Sequence, residues 1–215
     1  SAYILHINGR HRQLMRSAMA VAKEVGTIIS LDGGAQRYDE DMKPITEASH
    51  IVIVARDYAE KYTGTTNLKE ACRIIHERGS CIAGVTDGAN GSYFVWPDGT
   101  FYRCEPFTQS TVVDTTGAGD SFHGAFLYML TKTLCKIADL ANLVYTINHM
   151  KGQDTTSTTK HDRASIHAVE LLKACAHSDL EKAAIFASAV ASLNTQGIGG
   201  RSPLPTLKSV QELIG

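Results

Sequence analysis

The sequence predicts an α/β fold in which a mostly parallel sheet carries helices on both faces. Two patterns predict it. Short apolar runs of strand length alternate with longer segments whose apolar residues recur at helical spacing, through the first half of the chain. Later, the stretch VVDTTGAGDSFHGAFLYML (Val112–Leu130) passes from an apolar strand through small polar residues and two glycines into an apolar helix. That break is larger than an ordinary strand-to-helix turn requires.

In chain order, Tyr3–Ile7 reads as a strand, and RQLMRSAMAVAKEV reads as a helix that Gly26 stops. Thr27–Leu31 is a buried strand ending in Asp32-Gly33-Gly34, and His50–Val54 is another. NLKEACRIIHERG is a helix closed by Gly79, and Cys81–Val85 follows as a strand. The rhythm then changes. SYFVWPDGTFYRC has two strand-like arms around Pro97-Asp98-Gly99, a hairpin pattern. Beyond Leu130, LCKIADLANLVYTINHM, RASIHAVELLKACA and DLEKAAIFASAVASLN are helical, and Gln153–Asp162 is a polar, low-complexity tract expected to be mobile. TLKSVQELI closes the chain as a helix with Thr206 as its cap.

Bulk properties exclude several classes. The 215 residues fit one domain, and 43% hydrophobic with 20% charged is ordinary for a soluble globular protein. A net charge of −1 (21 Lys and Arg against 22 Asp and Glu) gives no electrostatic case for nucleic acid or an acidic membrane surface. No apolar run reaches membrane-spanning length, and no signal peptide opens the chain, which begins on a strand without Met. The five cysteines lack any Cys-x-x-Cys pairing and read as reduced thiols of a cytoplasmic protein. Neither a P-loop nor a Gly-x-Gly-x-x-Gly fingerprint after a strand is present.

The residues from Asp114 to Phe122 carry the chemistry. Gly117-Ala118-Gly119 leaves bare backbone where a helix begins, so unpaired N–H groups and the positive end of the dipole can meet a phosphate. Asp120, in the first turn, would repel that anion unless it served a second substrate by taking a hydroxyl proton. An anion hole and a general base in one segment suit phosphoryl transfer. An acid in a first turn is also an ordinary dipole-favoured residue, and paired glycines are an ordinary tight turn. The residues alone leave both readings open. The scattered histidines read as surface or satisfied core residues, His123 included, and Asp32 reads more readily as a turn residue than as one facing phosphate.

DTTGAGDSF (Asp114–Phe122) resembles the C-terminal signature of the ribokinase-like (PfkB) carbohydrate kinases, with both glycines and the acid in register. VTDGANGSYFVWPDG (Val85–Gly99) is similar to that family's nucleotide loop, and the segment from Glu181 is similar to its C-terminal helix and loop. ILHINGRH followed by SLDGGAQR looks most like the fructokinase and ketohexokinase branch. The resemblance implies a three-layer sandwich and an ATP-dependent transfer of the γ-phosphoryl group to a sugar hydroxyl. Asp120 would be the base, and the N–H groups of Gly117, Ala118 and Gly119 the anion hole. Thr86, Gly88, Gly91, Ser188 and Ala191 would contact nucleotide, Ala187 and Ser192 would leave room for adenine, and Arg10 would lie near the transferred phosphate. Asp114 and Thr116 would hold a monovalent cation such as K⁺, and Mg²⁺ would arrive with ATP. The partners implied are ATP and a small sugar, and the family pattern admits a homodimer.

Three departures qualify the resemblance. The family's Gly-Gly-x-x-x-Asn sugar signature and lid strands are missing, so the whole chain reads as the C-terminal, nucleotide-binding portion of such a kinase domain. Ala55 and Tyr58 stand where many members carry Asn and Glu acting on Mg²⁺ through water, with Asp57 the nearest acid. Residues 134–177 form an atypical insertion, expected to pack outside the nucleotide site. The alternative reading is a non-catalytic, kinase-like module that binds nucleotide.

Overall fold

The computed structural model describes residues 3–109, 111–150, 169–201 and 204–215. One six-stranded sheet runs through the molecule in the order β1 (Ile4–Ile7), β2 (Ile28–Gly33), β3 (Ile51–Ala55), β4 (Ile82–Thr86), β5 (Ser92–Val95) and β6 (Phe101–Cys104). The first four strands are parallel, and β5 and β6 pair antiparallel. Parallel neighbours need crossovers. These are supplied by α1 (Arg12–Glu24), a short α2 (Lys43–Glu47), α3 (Arg56–Thr63) and α4 (Leu68–Glu77). The long α5 (Ala118–Met150), α6 (His177–Asn194) and α7 (Leu207–Ile214) follow the sheet.

Period-two alternation along each strand separates two apolar layers. Ile28, Ile51, Ile53, Ile82, Phe94 and Trp96 face α5 and α6, where Phe94 stacks on Phe126 at a centroid distance of 5.7 Å. Ile29, Leu31, Val52, Val54, Ala83, Val85 and Val95 face the other way and pack with Met15 and Met19 of α1, Tyr58 of α3 and Ile75 of α4. The result is the three-layer α/β/α arrangement that the alternating pattern predicts.

Each strand predicted ahead of Val112 is present, with bounds displaced by one or two residues, because the turns on either side set where pairing starts. β2 runs on through Asp32 to Gly33, so Asp32 is a strand residue rather than a turn residue. The hairpin closes as expected: Trp96 N–H donates to Thr100 O at 2.9 Å, Gly99 N–H to Trp96 O at 2.9 Å, and Asp98 accepts from Thr100 N–H. Val112 and Val113, expected in a strand, are not in one. They lie in an exposed connection whose Val113 and Asp114 N–H groups both donate to Thr195 O, which ties the approach to α5 onto the end of α6. Helices α2 and α3 have too few residues for their apolar period to stand out in the sequence.

Part of residues 134–177 belongs to the main core. Leu134 and Ala138 on α5, with Leu171, Leu172 and Cys175, are buried in the layer that contains Trp96. The tract Gln153–Asp162 lies outside the described residues. Among the described residues no helix is long and apolar enough to cross a membrane, and all five cysteines are free.

Candidate active site

The C-terminal ends of β1, β2 and β4 converge on the start of α5, the position where open α/β sheets present ligand sites. Gly117 makes that start possible. Its φ is +80°, and a Cβ there would come within 2.4 Å of Gly200 Cα, so the 114–117 loop and the 198–200 loop pack backbone to backbone. Asp114 fastens the same two loops. Its carboxylate accepts from Thr116 N–H at 2.8 Å and Gly199 N–H at 2.9 Å, and these bonds hold its pKa below the usual carboxylate range. Ser121 N–H donates to Gly117 O at 2.8 Å, which closes the first turn.

Ahead of that turn lies a cavity of about 420 Å³. Thr86, Gly88, Gly91, Ser188 and Ala191 line it, as do Ser192, Ala118 and Gly119. All five residues expected to contact nucleotide therefore share one cavity with the start of the helix. Gly91 is there for backbone reasons: its φ is +91°, and a Cβ would meet Cys104 O at 2.4 Å. Around Gly119 a Cβ would meet nothing within 4 Å, so the cavity is open at that residue. Not one of the lining residues is charged. The 105–109 segment forms a further wall. Ser192 Oγ–H donates to Phe107 O at 2.8 Å, Gln109 Nε2 donates to Ser192 Oγ at 2.9 Å, and Gln196 Nε2 donates to Gln109 Oε1 at 2.8 Å. Ala187 does not line the cavity; it is fully buried in the core, one position round the helix from Ser188.

Asp120 is exposed and lines a neighbouring cleft of about 430 Å³, with Ser121, Tyr128, Phe186 and Gly200. The first turn of α5 thus serves two spaces, with Gly119 on one and Asp120 on the other. Arg10 lies in the exposed loop after β1, where its N–H donates to Asn8 Oδ1 at 3.3 Å, and it lines neither space. Thr116 is exposed beside Asp114.

The end of β3 is built differently from a metal site. Tyr58 is fully buried, its hydroxyl shares a 2.7 Å hydrogen bond with Thr46 Oγ1, and burial pushes its pKa up to about 12. Asp57 accepts from Gln36 N–H at 2.6 Å, and Arg56 bridges Glu60 at 2.8 Å and Asp87 at 3.0 Å. Among the described residues no three His, Cys, Asp or Glu side chains cluster as ligands for a metal ion.

One group escaped the sequence. Asp32 is buried and accepts from His123 Nε2 at 3.2 Å, and Arg37 stands 3.5 Å from its other oxygen. His6 lies with its ring 5.6 Å from that of His123 and its Nδ1 3.2 Å from Ser30 Oγ. The parallel register that pairs His6 with Ser30, together with the packing of α5, assembles these residues. No local motif could have shown it.

The architecture is the ribokinase-like α/β fold. The fructokinase of Vibrio cholerae O395, solved in its fructose-, ADP- and calcium-bound form, superposes with a TM-score of 0.71 at 19% identity, covering 100% of this chain and 61% of that one. The ribokinase of Arabidopsis thaliana, solved with ribose and ATP, superposes with a TM-score of 0.65 at 21% identity, covering 99% and 56%. Residues 3–158 match the family model described as pfkB family carbohydrate kinase, and the chain belongs to that family. Curated relatives include fructokinase-1 of Zea mays, 28% identical over 152 residues (66% of this chain, 46% of the relative). Ketohexokinase of Mus musculus is 27% identical over 139 residues (60% and 45%). The chain spans less than half the length of these curated relatives.

Proposed function

We propose that the chain is the nucleotide-binding part of an ATP-dependent sugar kinase that transfers the γ-phosphoryl group to a sugar hydroxyl. The observation that carries this is the division of α5's first turn: Gly119 opens on the uncharged cavity, and the next residue, Asp120, faces the adjoining cleft. ATP would occupy the cavity, with its phosphates at the N–H groups of Gly117, Ala118 and Gly119 and its base between the 105–109 segment and Ser188, Ala191 and Ser192. Asp120 takes the proton of the acceptor hydroxyl. The oxygen so freed forms its bond to the γ-phosphorus while the bond from that phosphorus to the bridging β-oxygen breaks, and ADP leaves. The helix N-terminus steadies charge on the moving group.

Mg²⁺ belongs to this reading as a passenger of the nucleotide. The described residues offer no carboxylate cage, which suits an ion held by phosphates and water. Asp114 and Thr116 remain the proposed monovalent-cation ligands, through lone pairs that the two N–H bonds to Asp114 leave free. Arg10, exposed and unpaired by any carboxylate, is free to turn toward a phosphate.

The test pairs binding with turnover. ADP titrated calorimetrically should bind the chain. Sugar-dependent ADP release, measured with fructose and ribose as first acceptors, should be lost in Asp120→Asn while ADP still binds. Binding without any turnover in the unsubstituted chain would favour a non-catalytic nucleotide-binding module. Turnover unchanged in Asp120→Asn would remove Asp120 from the reaction.

A further inference from the structure

On the α5-facing side of the sheet, β1 runs Ile4 then His6, and β2 runs Ile28, Ser30, Asp32. Apolar residues give way to polar ones toward the C-terminal ends, where His6 is exposed but Asp32 stays covered by α5. Asp32 and His123 are almost fully buried there, with side chains 7% and 4% exposed. Placing a carboxylate and an imidazole in a core is costly unless they pair. Two aliphatic residues would have filled the space more cheaply. His123 Nδ1 is also buried without a partner among the described residues, a further cost that packing alone does not repay.

The pair sits where a tie would matter. His123 lies one helical turn beyond Asp120 on α5, and Asp32 sits near the C-terminal end of β2, paired with Ile53 of β3. The Asp32–His123 bond therefore joins the helix turn that carries Gly119 and Asp120 to the sheet. The charged and titratable groups facing it are few: His6 from β1, Arg37 from the loop after β2, and Asp120 on α5 itself. Burial alone would raise the pKa of Asp32. The hydrogen bond and charge of His123, with Arg37 and His6, outweigh burial and hold it below the usual range, so Asp32 is an anion at neutral pH. The charge of Asp120 favours the protonated form of His6, against the effect of burial, so the cluster of Asp32, His123 and His6 is coupled to Asp120 through charge.

We propose that Asp32 and His123 are a buried positioning pair that fixes the first turn of α5, and with it Asp120 and the N–H groups of residues 117–119, against the ends of β1 and β2. The inference rests on the reading of that turn as the phosphoryl-transfer site, and its test has arms that do not need a ligand.

The first arm is imidazole NMR of His123 on the intact chain, which reads the Nε2–H donated to Asp32. Asp32→Asn should move that N–H resonance upfield and speed its exchange with water, because a charge-assisted hydrogen bond becomes a neutral one. The second arm is amide exchange at Ser121, whose N–H closes the first turn on Gly117 O. Asp32→Asn and His123→Phe should speed it about tenfold or more relative to amides of β5 and β6. His123→Gln, which keeps an N–H donor, should restore most of the protection. An unmoved His123 Nε2–H resonance, or exchange at Ser121 no faster than the global change in stability explains, overturns the proposal. The third arm reads the site: ADP affinity should fall about three- to tenfold in Asp32→Asn. If the unsubstituted chain binds no ADP while the first two arms hold, the nucleotide reading fails and the positioning pair stands. If ADP binds and the first two arms fail, the reverse is true.

Discussion

The two sides of α5's first turn are built from opposite materials. The cavity that Gly119 opens on is walled by glycine, alanine, threonine, serine and a few apolar residues, with no charged side chain. The ends of β1 and β2 beyond the same turn carry His6, Asp32, Arg37 and His123 in mutual contact. The difference follows from where the charge comes from. A nucleotide brings its own anions, and a wall of bare N–H groups at a helix start receives them without a competing side chain. The cluster receives no ligand charge. Its groups pair with one another, and the Asp32–His123 bond ties α5 to the end of β2.

Removing Asp120's charge should have the largest effect and should touch only one side. Asp120→Asn is expected to lower kcat by about 10²–10⁴-fold, the usual cost of losing a general base. The ADP dissociation constant should stay within about a fewfold, because backbone groups hold the phosphates. Steady-state turnover and calorimetry on the same preparation measure both. A rate loss matched by an equal affinity loss would mean that the two sides are not separate.

Gly117→Ala should break both sides together. The φ of +80° and the 2.4 Å approach to Gly200 Cα leave no room for a methyl group, so either the 114–117 loop or the 198–200 loop must move. A loss of about 1–3 kcal/mol in denaturant unfolding is expected, with ADP affinity lost as well. Gly119→Ala, where nothing stands within 4 Å, should leave unfolding unchanged.

Acid should weaken the histidine-bearing strands. Ile29 N–H donates to His50 Nδ1 at 2.9 Å, so that nitrogen must be unprotonated, and burial followed by the charge of Lys23 pushes the His50 pKa down. His6 is pushed the same way, by desolvation and then by His123, but it is exposed, so solvent screens most of its share and His50 carries the effect. A histidine whose folded pKa lies below its unfolded value contributes stability that is complete above the unfolded pKa, about 6.5, and is lost as pH falls below it. The melting temperature should therefore drop between pH 7.5 and 5.5, and His50→Gln should flatten that slope. An equal slope in the variant would assign the effect elsewhere. The smallest effect is expected on the nucleotide side: Ser192→Ala removes two of the hydrogen bonds that hold the 105–109 segment to α6, leaving that from Ser188 to Glu105 O, and should cost about 1–2 kcal/mol of stability, with no change in pH slope.

The same contrast explains what the sequence could tell. The uncharged side was legible because its parts are contiguous: Gly117 to Asp120 is a single run, and Thr86 to Gly91 leads into a hairpin marked by Pro97-Asp98-Gly99. The strands around Ile28, Ile51 and Ile82 were equally plain, since each is a short apolar run set off by turns and helical segments. The charged side was not legible. His6, Asp32 and His123 stand far apart in the chain and meet only through strand register and the seating of α5, so each looked like an ordinary isolated residue. Ala187 misled for a related reason. It neighbours two cavity residues, but the helix turns it into the core.

The central claim is that bare backbone at the start of α5 receives a phosphate while the next residue does other work. Calorimetric titration of ADP into the unsubstituted chain, Gly119→Val and Asp120→Asn tests it most directly. A Cβ at Gly119 meets nothing within 4 Å, so the larger side chain should enter the open cavity with little change in melting while filling the space meant for phosphate. The account predicts that Gly119→Val abolishes ADP binding and that Asp120→Asn binds within about a fewfold of the unsubstituted chain. Equal affinity in the unsubstituted chain and Gly119→Val would contradict it.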